Sequence, residues 1–179
     1  MSTRRLWAPW REAYITGVRQ PSKLKGCLFC RKGRSRLNRG DQVLVRGPST
    51  FSLLNRFPYN NGHMLVAPYR HVARIQDLSE EEWLDLWRLA DDAMRRLDRA
   101  VSPHGYNLGI NLGRAAGAGI PDHLHLHIVP RWVGDTNFMP VLGHTKVISQ
   151  SLEAAYRILK RARPSSRAGG RLRGRGRRR

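Results

Sequence analysis

The 179-residue chain has little acid, almost no cysteine and no long apolar run. Thirteen aspartates and glutamates stand against 33 lysines and arginines, for a net charge of +20, and this balance favours a polyanionic partner. Only two cysteines occur, Cys27 and Cys30 in CLFC. That scarcity excludes a disulfide-dense scaffold, and a pair so close more often binds metal or does redox chemistry than staples a fold. No 18-residue apolar span exists, and MSTRRLWAPWREAYITG interrupts its apolar character with Arg, Pro and Glu every few positions. Neither a membrane helix nor a secretory leader is expected, which points to a soluble cytoplasmic protein with no membrane partner.

The positive charge is unevenly spread. RARPSSRAGGRLRGRGRRR, residues 161–179, carries nine arginines and no acid; setting these aside leaves +11 on residues 1–160. The tail has too few apolar groups to offset the entropy of ordering it, so it reads as a disordered Arg/Gly-rich segment. It suits loose, non-specific nucleic-acid contact, or simple solvation. One domain is assigned to residues 1–160, including an N-terminal extension over 1–25. Trp7 and Trp10 read as packing residues rather than base-stacking ones.

The best-marked element is a helix from Ser79. LSEEEW offers Ser79 as N-cap, Glu82 to complete a capping box, and Leu78 against Trp83 as a staple. Trp83, Leu86, Trp87, Ala90, Ala93, Met94 and Leu97 then recur at helical spacing as a stripe facing a sheet. Strand-like runs are QVLV (42–45), TFSLLN (50–55), HMLVAP (63–68), YNLGINL (106–112) and HLHLHIV (123–129), separated by the turn chemistry of RGPS and FPYNNGH. A weaker helical period runs from Thr145 to Lys160. Together these give an α+β fold: an antiparallel sheet of about five strands packed with one long helix and a C-terminal helix.

In a strand over 123–129, His123, His125 and His127 share one face and Leu124, Leu126 and Ile128 the other. A buried row of imidazoles is hard to partner, so packing alone explains it poorly. A three-histidine zinc site fails on distance, because the outer two lie roughly 13 Å apart on a straight strand, whereas zinc needs nitrogens at about 2 Å. Phosphate chemistry fits better. Neutral imidazole is a nucleophile toward phosphorus, imidazolium can assist a leaving group, and both are accessible near neutral pH. The preceding loop NLGRAAGAGIPD opens on Asn111 and carries Gly113, Gly117 and Gly119, whose backbone N–H groups can approach phosphate oxygens.

HLHLHIV resembles the His-apolar-His-apolar-His signature of the histidine triad (HIT) nucleotide hydrolases and transferases. LLNRFPYNNGHMLVAPYRH (53–71) resembles the family's ribose-and-base strand pair, and RLWAPWREAYI (5–15) and residues 106–143 resemble the branch containing diadenosine tetraphosphate phosphorylases and hydrolases. The resemblance implies a HIT-like fold and cleavage of a dinucleoside polyphosphate at an α-phosphate through a nucleotidyl-histidine intermediate. It implies His125 as nucleophile, His127 as a phosphate and leaving-group partner, and His63 near the phosphates or orienting the nucleophile. Asn55 would contact the ribose, and Asn111, the loop glycines and Trp132 would line the nucleotide site. Cys27, Cys30, His71 and His123 would hold a structural zinc, with no organic cofactor, and the protein would form a homodimer. Two alternatives are a nucleotide- or RNA-binding module with a vestigial triad and a deadenylase of adenylylated nucleic-acid ends. Asn61 and His144 depart from the family pattern, at the turn before Gly62-His63 and near the pocket rim respectively.

Overall fold

A computed structural model describes residues 26–35, 40–135 and 148–163. Among these, β1 (Val43–Arg46), β2 (Thr50–Leu54), β3 (Met64–Pro68), β4 (Gly105–Ile110) and β5 (Leu126–Arg131) form one antiparallel sheet in the order β1-β2-β3-β5-β4. Three helices accompany it, α1 (Leu28–Arg34), α2 (Glu80–Val101) and α3 (Leu152–Arg161). The α+β architecture expected from the sequence is the one observed. Trp7, Trp10, His144, the N-terminal extension and the tail beyond Arg163 lie outside the described residues.

Two hairpin connections build β1-β2-β3, and α2 carries the chain to a further antiparallel pair whose inner strand, β5, docks on β3. At the β2–β3 turn Gly62 has φ +71°, and a Cβ there would lie 2.8 Å from Leu97 Cδ2, so only glycine fits. The sheet is covered on both faces, which is why β3 is buried at every residue. Met64, Val66, Leu124, Leu126 and Ile128 pack under Leu86, Ala90, Ala93 and Leu97 of α2 and Leu159 of α3. On the other face Phe29 of α1 packs with Val43, Phe51, Leu53, Leu65 and Ala67. The histidines share this second face.

The capping box at Ser79 forms as expected: its hydroxyl accepts from Glu82 N–H, and the Glu82 carboxylate accepts from Ser79 N–H. The inward stripe differs. Trp83 and Trp87 are 36% and 41% exposed and rest edge-on against each other, 5.8 Å between centroids. Partnered charges take the inward positions instead. Glu82 binds Arg70, Arg96 binds Asp92 and the Leu159 carbonyl, and Asp85 reaches the β1–β2 turn. These pairings rotate the helix so that the tryptophans flank the core.

One oxygen of the buried Asp85 accepts four hydrogen bonds, from the N–H and hydroxyl groups of both Ser49 and Thr50 at 2.8–3.1 Å. A Cβ on Gly47 would come within 2.6 Å of the same oxygen. Asp85→Ala strands these donors and is expected to cost about 3 kcal/mol in denaturant unfolding. A loss below about 1 kcal/mol would show that water replaces the carboxylate.

Other boundaries shift. α3 begins only at Leu152, where Ser151 caps it by accepting from Ala154 N–H; Ile148–Gln150 are not helical, and 145–147 lie outside the described residues. The last strand pairs from Leu126, not from His123. The cause is local: β3 ends at Pro68, whose carbonyl accepts from His123, while the His123 carbonyl accepts from His125. Imidazoles thus occupy carbonyls that a ladder would use. Leu124 N–H bonds instead to the Val72 carbonyl, and the in-out alternation still extends back to His123. α1, seven residues with no side-chain cap, was not signalled by the sequence.

Candidate functional site

His63, His125 and His127 form one buried cluster on the α1 side of the sheet. Their hydrogen bonds fix where each proton sits. Tyr59 N–H, which can only donate, points at His63 Nδ1 from 3.0 Å, and Asn55 Nδ2 approaches the same atom at 3.2 Å. His63 Nδ1 must therefore carry a lone pair and Nε2 the proton. Nε2–H donates to His127 Nδ1 at 3.0 Å, which leaves the His127 proton on Nε2, a buried atom with no hydrogen-bond partner. His125 Nδ1–H donates to the His123 carbonyl at 2.8 Å, so its Nε2 carries a lone pair. The cluster thus presents a nitrogen lone pair and, two residues on, an unspent donor. His63 is hydrogen-bonded to His127, not to His125.

The environment keeps these rings neutral. Burial, reinforced by the neighbouring imidazoles, lowers His63 to about 3 and His127 to about 4. Burial also lowers His125, opposed by its bond to the His123 carbonyl. The unfolded chain takes up protons below the ordinary value of 6.5 while the native cluster does not. Stability is therefore complete above about pH 6.5 and is lost as pH falls toward 4 and then 3, by at most about 1.4 kcal/mol per pH unit for each histidine. Melting followed from pH 7 to pH 5 should show this loss before carboxylates titrate, and His63→Asn should shallow it. Identical pH slopes for the variant and the native chain would contradict the assignment.

Phe29 of α1 lies 4.7 Å from the His125 ring and 5.2 Å from that of His123, between centroids. The two cysteines near it in sequence face the other side of His123. Cys27 Sγ is 3.3 Å and Cys30 Sγ 3.6 Å from His123 Nδ1, His71 Nδ1 is 3.4 Å from Cys30 Sγ, and the two Nδ1 atoms are 3.2 Å apart. All four ligand atoms lie within 4.8 Å of one another. A tetrahedral zinc with ordinary bond lengths requires N···N and N···S edges of roughly 3.3 and 3.6 Å. The donor set fits. His123, fully buried, donates Nε2–H to the Pro68 carbonyl at 2.9 Å, which leaves Nδ1 free to ligate.

The remaining expected residues divide. Asn55 is tied to His63 and also accepts from Phe57 N–H at 3.0 Å. Asn111 heads the loop after β4, where Gly113 and Gly117 have φ of +77° and +84° and a Cβ on Gly113, Gly117 or Gly119 would touch nothing within 4 Å. Ile120 of this loop packs on the Phe29 cluster, which keeps the loop on the histidine face. Trp132 is bound elsewhere: its indole N–H donates to the carbonyls of Val101 and Ser102 at the end of α2. Asn61 holds its turn by donating to Ser149 Oγ at 2.7 Å. Sequence reasoning missed Phe29 and Tyr59. Tyr59 stacks parallel to His127, 5.6 Å away and 2° from coplanar.

Comparison with known proteins agrees with this geometry. A profile of the HIT domain matches residues 36–133. The chain is 38% identical over 159 residues to the AP-4-A phosphorylase of Mycobacterium tuberculosis, covering 87% of this chain and 82% of that protein. It is 35% identical over 95 residues to a bis(5'-adenosyl)-triphosphatase of Dictyostelium discoideum, covering 53% and 63%. A zinc-bound histidine triad family protein of Mycobacterium smegmatis superposes with a TM-score of 0.61 at 26% identity, covering 76% of this chain and 92% of its own. Among the described residues no helix is long and apolar enough to cross a membrane.

Proposed function

The chain belongs to the HIT domain family, and from that membership and the site's proton arrangement we propose that it cleaves diadenosine tetraphosphate, or a close dinucleoside polyphosphate, at an α-phosphate. The observation that carries the reading is the pair of unspent groups side by side, a lone pair on His125 Nε2 and a proton on His127 Nε2. His125 Nε2 attacks the α-phosphorus, a P–N bond forms, and the P–O bond to the departing nucleoside polyphosphate breaks with its electrons on oxygen. His127 donates Nε2–H to an oxygen at the reacting phosphate, neutral throughout, in an arrangement that His63 and Tyr59 N–H hold ready before substrate arrives. An acceptor oxygen then attacks the same phosphorus and returns the electron pair to His125. Asn55 contacts the ribose, and Asn111 with the glycine loop holds phosphate oxygens.

Cys27, Cys30, His71 and His123 hold a structural zinc in this reading, supported by the edge lengths above and by the zinc-bound relative. The AP-4-A phosphorylase relative supports inorganic phosphate as acceptor. The exposed Trp83–Trp87 pair and the sheet-edge strand β4 support a homodimer, and the tail supports weak nucleic-acid contact; we place the protein in the cytoplasm. Incubation with diadenosine tetraphosphate, with and without phosphate, tests the activity. ADP plus ATP formed only with phosphate is expected. AMP plus ATP without phosphate would make it a hydrolase, and no turnover would overturn the reading.

A further inference from the structure

Cleavage at one α-phosphate leaves the second nucleoside of the substrate without a seat. Resting on that reading, we propose that the departing nucleoside binds in the open cavity of 230 Å³ lined, among the described residues, by Tyr59, Asn60, Asn107, Val129 and Arg131.

Direction comes first. In an in-line displacement the leaving group departs opposite the attacking His125 nitrogen. Toward His123 the face is closed by Phe29, whose ring packs on those of His123 and His125, while Leu65 pairs beside His127 on the β3 side. Past His127 it opens. Val129 and Arg131 follow on the same face of β5, and β4 sets Gly109 opposite His127 and Asn107 opposite Val129. A Cβ on Gly109 would touch nothing within 4 Å, so the strip beside His127 is clear. The cavity lies at the end of that strip.

Its chemistry suits a nucleoside better than more phosphate. Arg131 is the local cation, but Asp135 binds it through Nε and Nη2 at 2.6 and 2.8 Å and compensates its charge. Its Nη1 donates to Asn107 Oδ1 at 2.7 Å, which turns the Asn107 amide N–H groups to other use. Asn60 spends its own Nδ2 on the Pro130 carbonyl and Asp135, which leaves its Oδ1 as an acceptor. A donor and an acceptor thus stand beside the half-exposed Tyr59 ring and the apolar Val129, the combination that a nucleobase edge and face require.

The test compares diadenosine tetraphosphate with the terminal methyl ester of adenosine 5'-tetraphosphate, which keeps the charge and drops the second nucleoside. The native full-length chain should favour the dinucleotide in kcat/KM by about tenfold or more, chiefly through KM. Asn107→Ala and Asn107→Leu should each shrink that preference at least about fivefold, the loss of one hydrogen bond to a ligand. A native enzyme that turns over both substrates equally, or variants that leave the ratio unchanged, would overturn the subsite while the activity stands. Turnover of neither substrate removes the activity and the subsite with it.

Discussion

His125→Ala is expected to lower kcat/KM on diadenosine tetraphosphate by roughly 10⁴-fold or more, the scale of losing a covalent nucleophile. The effect is large because, among the described residues, nothing nearby can substitute. His123 Nδ1 faces the cysteines and its Nε2 is spent on the Pro68 carbonyl; His63 Nε2 is spent on His127; and His127 presents a proton where a lone pair is needed. His127→Ala removes only a donor, and a loss of about 10²–10³-fold is expected for it. Substrate labelled in the α-phosphate should leave acid-labile, base-stable label on the native protein after quenching and none on His125→Ala. Since His125 also bonds the His123 carbonyl, His125→Asn serves as a second variant, able to donate to that oxygen and unable to attack. Either variant retaining more than about 1% of activity would remove the covalent step.

How far such roles are legible depends on how local their causes are. The row of three histidines is visible because strand side chains alternate, and α2 because Ser79 and Glu82 form a capping box within four residues. Proton positions are invisible in sequence. They hang on Tyr59 N–H, four residues before His63 but reached only through the β2–β3 turn, and on the Pro68 carbonyl, 55 residues from His123. The two tryptophans of α2 match the helical period as well as Leu86 does. What excludes them from the core is Asp85 finding Ser49 and Thr50 across 35 residues or more, a pairing no periodicity contains. The strand boundary at Leu126 failed for a related reason, since the HLHLHIV pattern does not say that two carbonyls will be taken by imidazoles. α1 had no signal because its stability is borrowed.

That dependence sets the second large effect. α1 is too short to be stable by itself. It is held by Phe29 in the apolar cluster, by the Arg46 guanidinium on the carbonyls of Lys32, Gly33 and Ser35, and by the two cysteines at its start. The four donors come from three separate parts of the chain: α1, the segment after β3 and the entry to β5. A zinc held by two thiolates and two neutral imidazoles would be electrically neutral, which suits a position against the fully buried His123. Protein purified without added zinc is expected to contain about one zinc per chain. Its removal by a chelator, or the double change Cys27→Ser with Cys30→Ser, should cost about 3–5 kcal/mol, because the metal secures part of the fold rather than all of it. At about 2–4 °C per kcal/mol for a chain of this size, Tm should fall by roughly 6–20 °C. Hydrogen exchange should rise first over residues 27–35, and the His125 ring should lose its contact with Phe29, lowering kcat more than it raises KM. A zinc content near zero with an unchanged Tm would mean that packing alone holds α1 against the nucleophile.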